Sequence, residues 1–226
     1  MSMLIHKIQV GPLQVCCYLV IDQGAAEAMI IDPGADSGEI VAFLKKQGLL
    51  LKNMVITHGH GDHIGANAGL KKAFPDAQIC VHEADEDMLP YPAKNLSILA
   101  AFYGGTTVRS PMADRLLHDG DTVAVGRHTF EVIHTPGHTP GGICLYYNNP
   151  ADEKPPVLFS GDTLFKEGIG RTDFPGCDQK KLIHAIKERL FVLDERTIVY
   201  PGHGPSTTIA EEKKNNPFIA EVMLHG

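Results

Sequence analysis

Four times along this chain a short apolar run gives way to a glycine-bearing loop that carries histidine or aspartate. Met54-Val55-Ile56 leads into Thr57-His58-Gly59-His60-Gly61-Asp62-His63, and Phe130-Glu131-Val132-Ile133 leads into Thr135-Pro136-Gly137-His138-Thr139-Pro140-Gly141. Val157-Leu158-Phe159 leads into Ser160-Gly161-Asp162-Thr163-Leu164-Phe165, and Ile198-Val199-Tyr200 leads into Pro201-Gly202-His203-Gly204-Pro205. Such runs read as buried strands, and loops at the ends of rigid strands are where sites are built. Imidazole and carboxylate are the ligands that hold zinc, iron or manganese. One histidine at a strand end is an ordinary structural residue. Seven donors, His58, His60, Asp62, His63, His138, Asp162 and His203, are enough for two metal ions that share one carboxylate. The aspartates add to this reading, because a carboxylate flanked by apolar residues is costly to bury without a cation.

The rest of the composition narrows the class. With 226 residues and 43% hydrophobic side chains, the chain can bury a substantial core and reads as a single domain over 1–226. A net charge of −7, with Lys and Arg scattered, argues against a nucleic-acid surface and against a polybasic membrane patch. The longest apolar stretch, around Leu96–Phe102, falls far short of the ~20 residues that span a bilayer. Met1–Lys7 does not read as a secretory leader. The expectation is a cytoplasmic protein with neither nucleic acid nor membrane as partner. The five cysteines form no Cys-x-x-Cys pair, which fits reduced thiols. Cys16, Cys80 and Cys144 lie in strand-like runs and read as small buried hydrophobes. Cys177 is a loop thiol, either incidental or adjacent to the site.

Periodicity gives a mixed α/β order. Strands are expected at Leu4–Val10, Val15–Ile21, Ala28–Ile31, Asn53–Ile56 and Gln78–His82, with helices at Glu39–Gln47 and Asn67–Phe74. Asp32-Pro33-Gly34 reads as a turn. Further strands are expected at Thr122–Val125, Thr129–Ile133, Gly142–Tyr147, Val157–Ser160 and Thr197–Tyr200. A helix at Gln179–Leu190 has Asp178 as its N-cap, and Thr208-Ile209-Ala210-Glu211 opens a last helix as a capping box. Residues 84–118 are the least legible; Leu96, Ile98, Leu99, Phe102 and Tyr103 suggest packed pieces there, forming pocket walls.

The His-x-His-x-Asp-His motif at 58–63, followed in order by His138, Asp162 and His203, closely resembles the metallo-β-lactamase superfamily. The resemblance runs from Asp32-Pro33-Gly34 to Pro201-Gly202-His203 and is specific because four separated motifs agree. It implies a four-layer αββα sandwich. It also implies roles: His58, His60 and His138 on one metal, Asp62, His63 and His203 on a second, and Asp162 bridging the two. Asp62 and Asp162 would then serve catalysis with a metal-bound hydroxide that attacks an acyl carbon. Asp32 would support the ligand loops from behind. The other histidines match no ligand position; His134, four residues before His138, is the candidate for a supporting role.

Within the superfamily, true class B β-lactamases usually carry Cys or Ser where Asp162 stands, which argues against antibiotic hydrolysis. Gly161–Phe165, Gly170-Arg171-Thr172-Asp173, Pro201–Pro205 and the Glu-Lys-Lys-Asn-Asn-Pro-Phe run at 212–218 resemble the glyoxalase II-like group. The sequence ends 23 residues after His203, which resembles the short hydroxyacylglutathione hydrolases that lack a C-terminal helical domain. The implied activity is hydrolysis of a small acyl-thiol such as S-lactoylglutathione to D-lactate and a thiol. Two divalent ions are implied; zinc is expected, and iron and manganese suit the same donors. Arg171 aligns with a glutathione-contacting residue and is the candidate substrate contact, with an ion pair to Asp173 as its other reading. The alternative is an iron-dependent persulfide dioxygenase using His58, His138 and Asp162. Oligomeric state is not legible.

Overall fold

The computed structural model describes residues 3–102, 106–150 and 154–219. Two compact units emerge, Met1–Leu117 with Val123–Thr129, and His118–Thr122 with Phe130–Gly226.

In the first unit a meander of β1 (Met3–Val10), β2 (Val15–Asp22) and β3 (Glu27–Ile31) continues into β4 (Leu50–Val55), β5 (Gln78–His82) and β6 (Arg115–Leu117). The sheet order is β1-β2-β3-β4-β5-β6. β1 to β3 pair antiparallel, whereas β3 to β6 pair parallel. Parallel neighbours need a crossover. It is supplied by α1 (Ser37–Lys46) between β3 and β4, and by α2 (Gly61–Ile64) and α3 (Asn67–Ala73) between β4 and β5. Every residue of β2 is buried, as expected of a strand covered on both faces. Cys17, Leu19 and Ile21 point to a core that holds Ile40 and Leu44 of α1 and Leu70 of α3. Truncating one such leucine to alanine costs about 2–5 kcal/mol.

β4 starts three residues before the expected Asn53. Leu50 donates to the Ala26 carbonyl at 2.9 Å and extends the ladder to β3, yet its side chain is exposed and so hides the strand pattern. Residues 83–117 contain a 3₁₀ helix (Glu83–Met88), α4 (Ser97–Phe102) and the unanticipated β6. The expected apolar packing there is corrected: Ile98 and Leu99 are exposed, while the polar Asn95 and Ser97 are buried. The side chain of Phe102 and all of Tyr103 lie outside the described residues.

The second sheet contains β7 (Thr122–Val125), β8 (His128–His134), β9 (Ile143–Tyr147) and β10 (Val157–Gly161). After the small hairpin of β11 (Leu164–Phe165) and β12 (Gly168–Ile169), β13 (Ile198–Pro201) and β14 (Thr207–Thr208) complete it. The order is β14-β13-β10-β9-β8-β7. β10 and β13 are parallel, joined through α5 (Gln179–Ala185), and α6 (Ile209–Asn215) follows β14. The expected caps are present: Asp178 accepts from the Lys181 amide at 3.1 Å and Thr208 from the Glu211 amide at 3.2 Å. The helix expected to run to Leu190 changes after Ala185 into a π turn, closed by the Phe191 amide on the Ile186 carbonyl at 2.9 Å. Leu182, Ile183, Ile186 and Leu190 pack with Ile133, Leu158 and Val199.

Candidate metal centre

In the first unit the donors follow β4. Thr57 leaves the strand with its amide on Asp32 Oδ1 and its hydroxyl on Asp32 Oδ2, both at 2.7 Å. His63 Nδ1 lies 3.0 Å from Asp32 Oδ2. His58 Nδ1 lies 3.2 Å from the Thr57 hydroxyl oxygen. That hydroxyl spends its proton on Asp32, so it accepts from His58. His58 packs its ring against His60 at 4.7 Å and against His63 at 4.1 Å between centroids. All three imidazoles are buried, whereas the Asp62 side chain keeps part of its surface open. Asp32-Pro33-Gly34 is more than a turn: the Pro33 carbonyl accepts from the Ala66 amide at 2.8 Å, and Gly34 presses on the Asp62 carbonyl.

In the second unit His138 follows β8, Asp162 follows β10 and His203 follows β13. His138 Nδ1 donates to the Arg171 carbonyl at 2.8 Å. Its Nε2 lies 3.6 Å from Asp162 Oδ2, and His203 Nε2 lies 3.7 Å from the same oxygen. The loops are tied together by the Thr135 and Thr163 hydroxyls, 2.8 Å apart and buried. His134, considered for a supporting role, donates from Nε2 to the Pro140 carbonyl at 2.9 Å, two residues beyond His138, and touches the loop rather than the ligand. Cys177 is site-adjacent, with Sγ on the His138 carbonyl at 2.9 Å. Gly170 is needed because a Cβ there would lie 1.8 Å from the Asp162 carbonyl oxygen.

The donor set fits a metal. The Arg171 carbonyl can only accept, so Nδ1 carries the proton in His138. A neutral ring then presents a lone pair at Nε2. For His138 that lone pair faces Asp162 Oδ2 at 3.6 Å, and His63 Nε2 lies 3.7 Å from Asp62 Oδ2. Acceptor against acceptor is repulsive until a cation stands between them, and second oxygens behind the imidazoles are what orient metal-binding histidines. Among the described residues, each of the seven donors belongs to a group able to hold a metal ion.

Arg171 sits differently. Its carbonyl serves His138, but its guanidinium pairs with both oxygens of Asp173 at 2.8 Å and lies 3.8 Å over the Phe174 ring. Three supports were missed in the sequence. Asp85 accepts from the Gly59 amide at 2.9 Å, and the Asn95 carbonyl from the Gly61 amide at 2.8 Å. Glu212, buried, accepts from the Thr207 hydroxyl at 2.6 Å, the Glu167 amide at 2.9 Å and the Asn216 side chain at 2.8 Å. The 212–218 run, read as a family mark, thus grips the β11–β12 hairpin.

The metallo-β-lactamase superfamily pattern matches residues 10–203, and the chain belongs to that superfamily. Two multi-stranded sheets with helices, and solved neighbours of that fold, agree with the expected αββα class. The glyoxalase II-like reading fits one relative, the hydroxyacylglutathione hydrolase GloC of Haemophilus influenzae, 36% identical over 95% of this chain and 97% of its own. The BLEG-1 B3 metallo-β-lactamase structure is 38% identical, with TM-score 0.86 over 96% of this chain and 99% of that one. TTHA1623 in a di-iron-bound form is 36% identical, with TM-score 0.79 over 94% and 99%. ETHE1 from Myxococcus xanthus is 28% identical, with TM-score 0.77 over 97% and 85%. The superfamily fold implies two metal ions and metal-dependent hydrolysis. Among the described residues no helix is long and apolar enough to cross a membrane.

Proposed function

We propose that the two constellations serve one dinuclear centre and that the chain hydrolyses a thioester, S-lactoylglutathione or a close analogue, in the cytoplasm. The likeness to GloC over nearly the whole of both chains carries the substrate reading. His58, His60 and His138 would hold one ion, Asp62, His63 and His203 the other, and Asp162 both. When bound, the ions supply Lewis acidity and an acidified water. The protein's part is to orient and to move a proton. Water adds to the acyl carbon, the C–S bond breaks and the thiolate leaves. Asp62, partly open beside buried His63, is the group to orient the water and hold its proton.

Arg171 is the proposed contact for a carboxylate on the thiol tail. The pair with Asp173 is exposed on both sides, and exposed pairs contribute only about 0–1 kcal/mol, so a substrate carboxylate can take the place of Asp173 at little cost. The expected effect of Arg171→Ala is a rise in KM of about tenfold, or about 1.4 kcal/mol, with kcat unchanged; an unchanged KM would leave the guanidinium to its ion pair.

The test is thiol release from S-D-lactoylglutathione by zinc-loaded protein. Turnover that disappears with a chelator and returns with zinc supports the reading; metal-loaded protein that releases no thiol sinks it. A second reading, persulfide dioxygenase, is favoured by the likeness to ETHE1 and is read by oxygen consumption with glutathione persulfide. The 38% identity to a B3 enzyme weighs against the exclusion of β-lactams drawn from Asp162, so ring opening of a β-lactam, which releases no thiol, is followed in parallel by absorbance. Metal content after expression decides between the proposed zinc and the iron of the TTHA1623 structure.

A further inference from the structure

The ligand loop of the first unit is held by three backbone amides spaced two residues apart. Thr57 donates to Asp32, Gly59 to Asp85 Oδ2 and Gly61 to the Asn95 carbonyl. Asp32 is the expected support. Asp85 is a different case: its side chain comes from the 3₁₀ helix at Glu83–Met88, is fully buried, and accepts from the amide of Gly59, the residue between His58 and His60. The same helix closes on that residue a second time. A Cβ on Gly59 would lie 2.4 Å from Cβ of Met88. His60 is extended (φ −67°, ψ 148°), and the His58 and His60 rings meet edge to face with centroids 4.7 Å apart, so both side chains leave the loop on one side of Gly59. Holding the Gly59 amide therefore fixes how the two flanking imidazoles leave the backbone.

We propose that Asp85 is a positioning residue that sets the spacing of His58 and His60 and, through it, their affinity for metal. The inference rests on the metal-centre reading above. An amide held by a carboxylate is a charge-assisted hydrogen bond, and groups that orient metal ligands from behind change metal affinity by about 10–100-fold. A residue that only stabilised the fold would lower the unfolding midpoint and leave the affinity of the folded protein alone.

The experiment measures zinc affinity by chelator competition on the full chain, for wild type, Asp85→Ala and Asp85→Asn, with urea unfolding of the metal-free forms alongside. Asp85→Ala is expected to lose about 10–100-fold in affinity and to reach the wild-type zinc content when zinc is raised. Asp85→Asn keeps an oxygen acceptor in place and is expected to stay close to wild type. Asp85→Ala protein that binds zinc as tightly as wild type overturns the proposal, whatever its stability. So does Asp85→Asn weakened as far as Asp85→Ala, because the hydrogen bond is then not the means. Wild-type protein that takes up no metal overturns the metal-centre reading itself, a separate outcome. If Asp85→Ala does not fold, amide exchange of metal-free wild type decides: slow exchange at Gly59 supports the role, and exchange at an open loop's rate removes it.

Discussion

Asp162 shows what a single atom can decide. Its Oδ2 faces the Nε2 atoms of His138 and His203, and the tautomer of His138 makes that an acceptor facing an acceptor. An amide in place of the carboxylate would turn a donor toward the rings, so Asp162→Asn removes the repulsion and the bridging oxygen together. The expected outcome is a variant whose metal-free form is at least as heat-stable as wild type, and which on loading holds one metal ion fewer and loses at least about 100-fold in turnover. Melting curves, metal analysis and thiol release on one preparation check it; full metal content with wild-type turnover would end the bridging role. The seven donors were legible because His and Asp in glycine loops after apolar strands have few other uses. Asp85 was not, because Glu83-Ala84-Asp85-Glu86-Asp87 has the look of a solvated acidic turn and only tertiary burial separates its middle residue from the rest. Asp32 lies between these cases. Its turn was plain, but its left-handed backbone (φ 51°) costs about 1–3 kcal/mol and is retained by the contacts to Thr57 and His63.

At the level of elements, strands and caps were read from local chemistry, and two of the failures share one cause. β6 has three residues, the π turn keeps the same apolar face as the helix before it, and α4 exposes Ile98 and Leu99 while its Ser97, and Asn95 just before it, are buried. For β6 and the start of α4, a contact distant in sequence outweighs periodicity. Ser97 illustrates this: its hydroxyl accepts from the Val108 amide at 2.8 Å, and a Cβ on Gly61 would lie 2.7 Å from Cβ of Ser97. The segment expected to wall a pocket is packed against the loop that bears the donors. The turn before α1 does the same from another side. A Cβ on Gly34 would lie 1.7 Å from the Asp62 carbonyl oxygen, and backbone cannot yield as a side-chain tip can. Gly34→Ala is expected to push α2 away, cost more than about 2 kcal/mol and weaken metal binding at least tenfold. Gly38→Ala, inside α1 where a Cβ meets nothing, is the control and should leave zinc affinity unchanged while leaving the urea midpoint at or slightly above wild type, since Ala favours helix. Equal behaviour of the two variants would mean that the turn does not hold the metal loop.

Across the whole molecule, several carboxyls are held ionised by partners, and this sets the response to acid. Asp22 is the strongest case. It is fully buried and takes the Arg127 guanidinium at 3.1 Å and 3.2 Å, the Arg127 amide at 3.0 Å and the Gly24 amide at 2.8 Å. The side-chain bond from Arg127 comes first among the causes that hold its carboxyl well below the usual carboxylate range. Asp173 is lowered to about 2, chiefly by its hydrogen bond from Arg171, but that pair is exposed and solvent-screened, so it adds little. For a carboxyl with a lowered folded pKa, the unfolded chain takes up the proton first as pH falls. The stabilisation is therefore complete well above the unfolded value of about 3.9 and fades below it. Asp22→Asn, neutral at every pH, should show a much lower urea midpoint than wild type at pH 7, with the gap closing as metal-free protein is taken from pH 5 to pH 2.5. Asp173→Asn should follow the wild-type curve throughout. A gap for Asp22→Asn that stays constant with pH would assign its cost to packing at the end of β2 and leave the acid response to the carboxyls of the metal site.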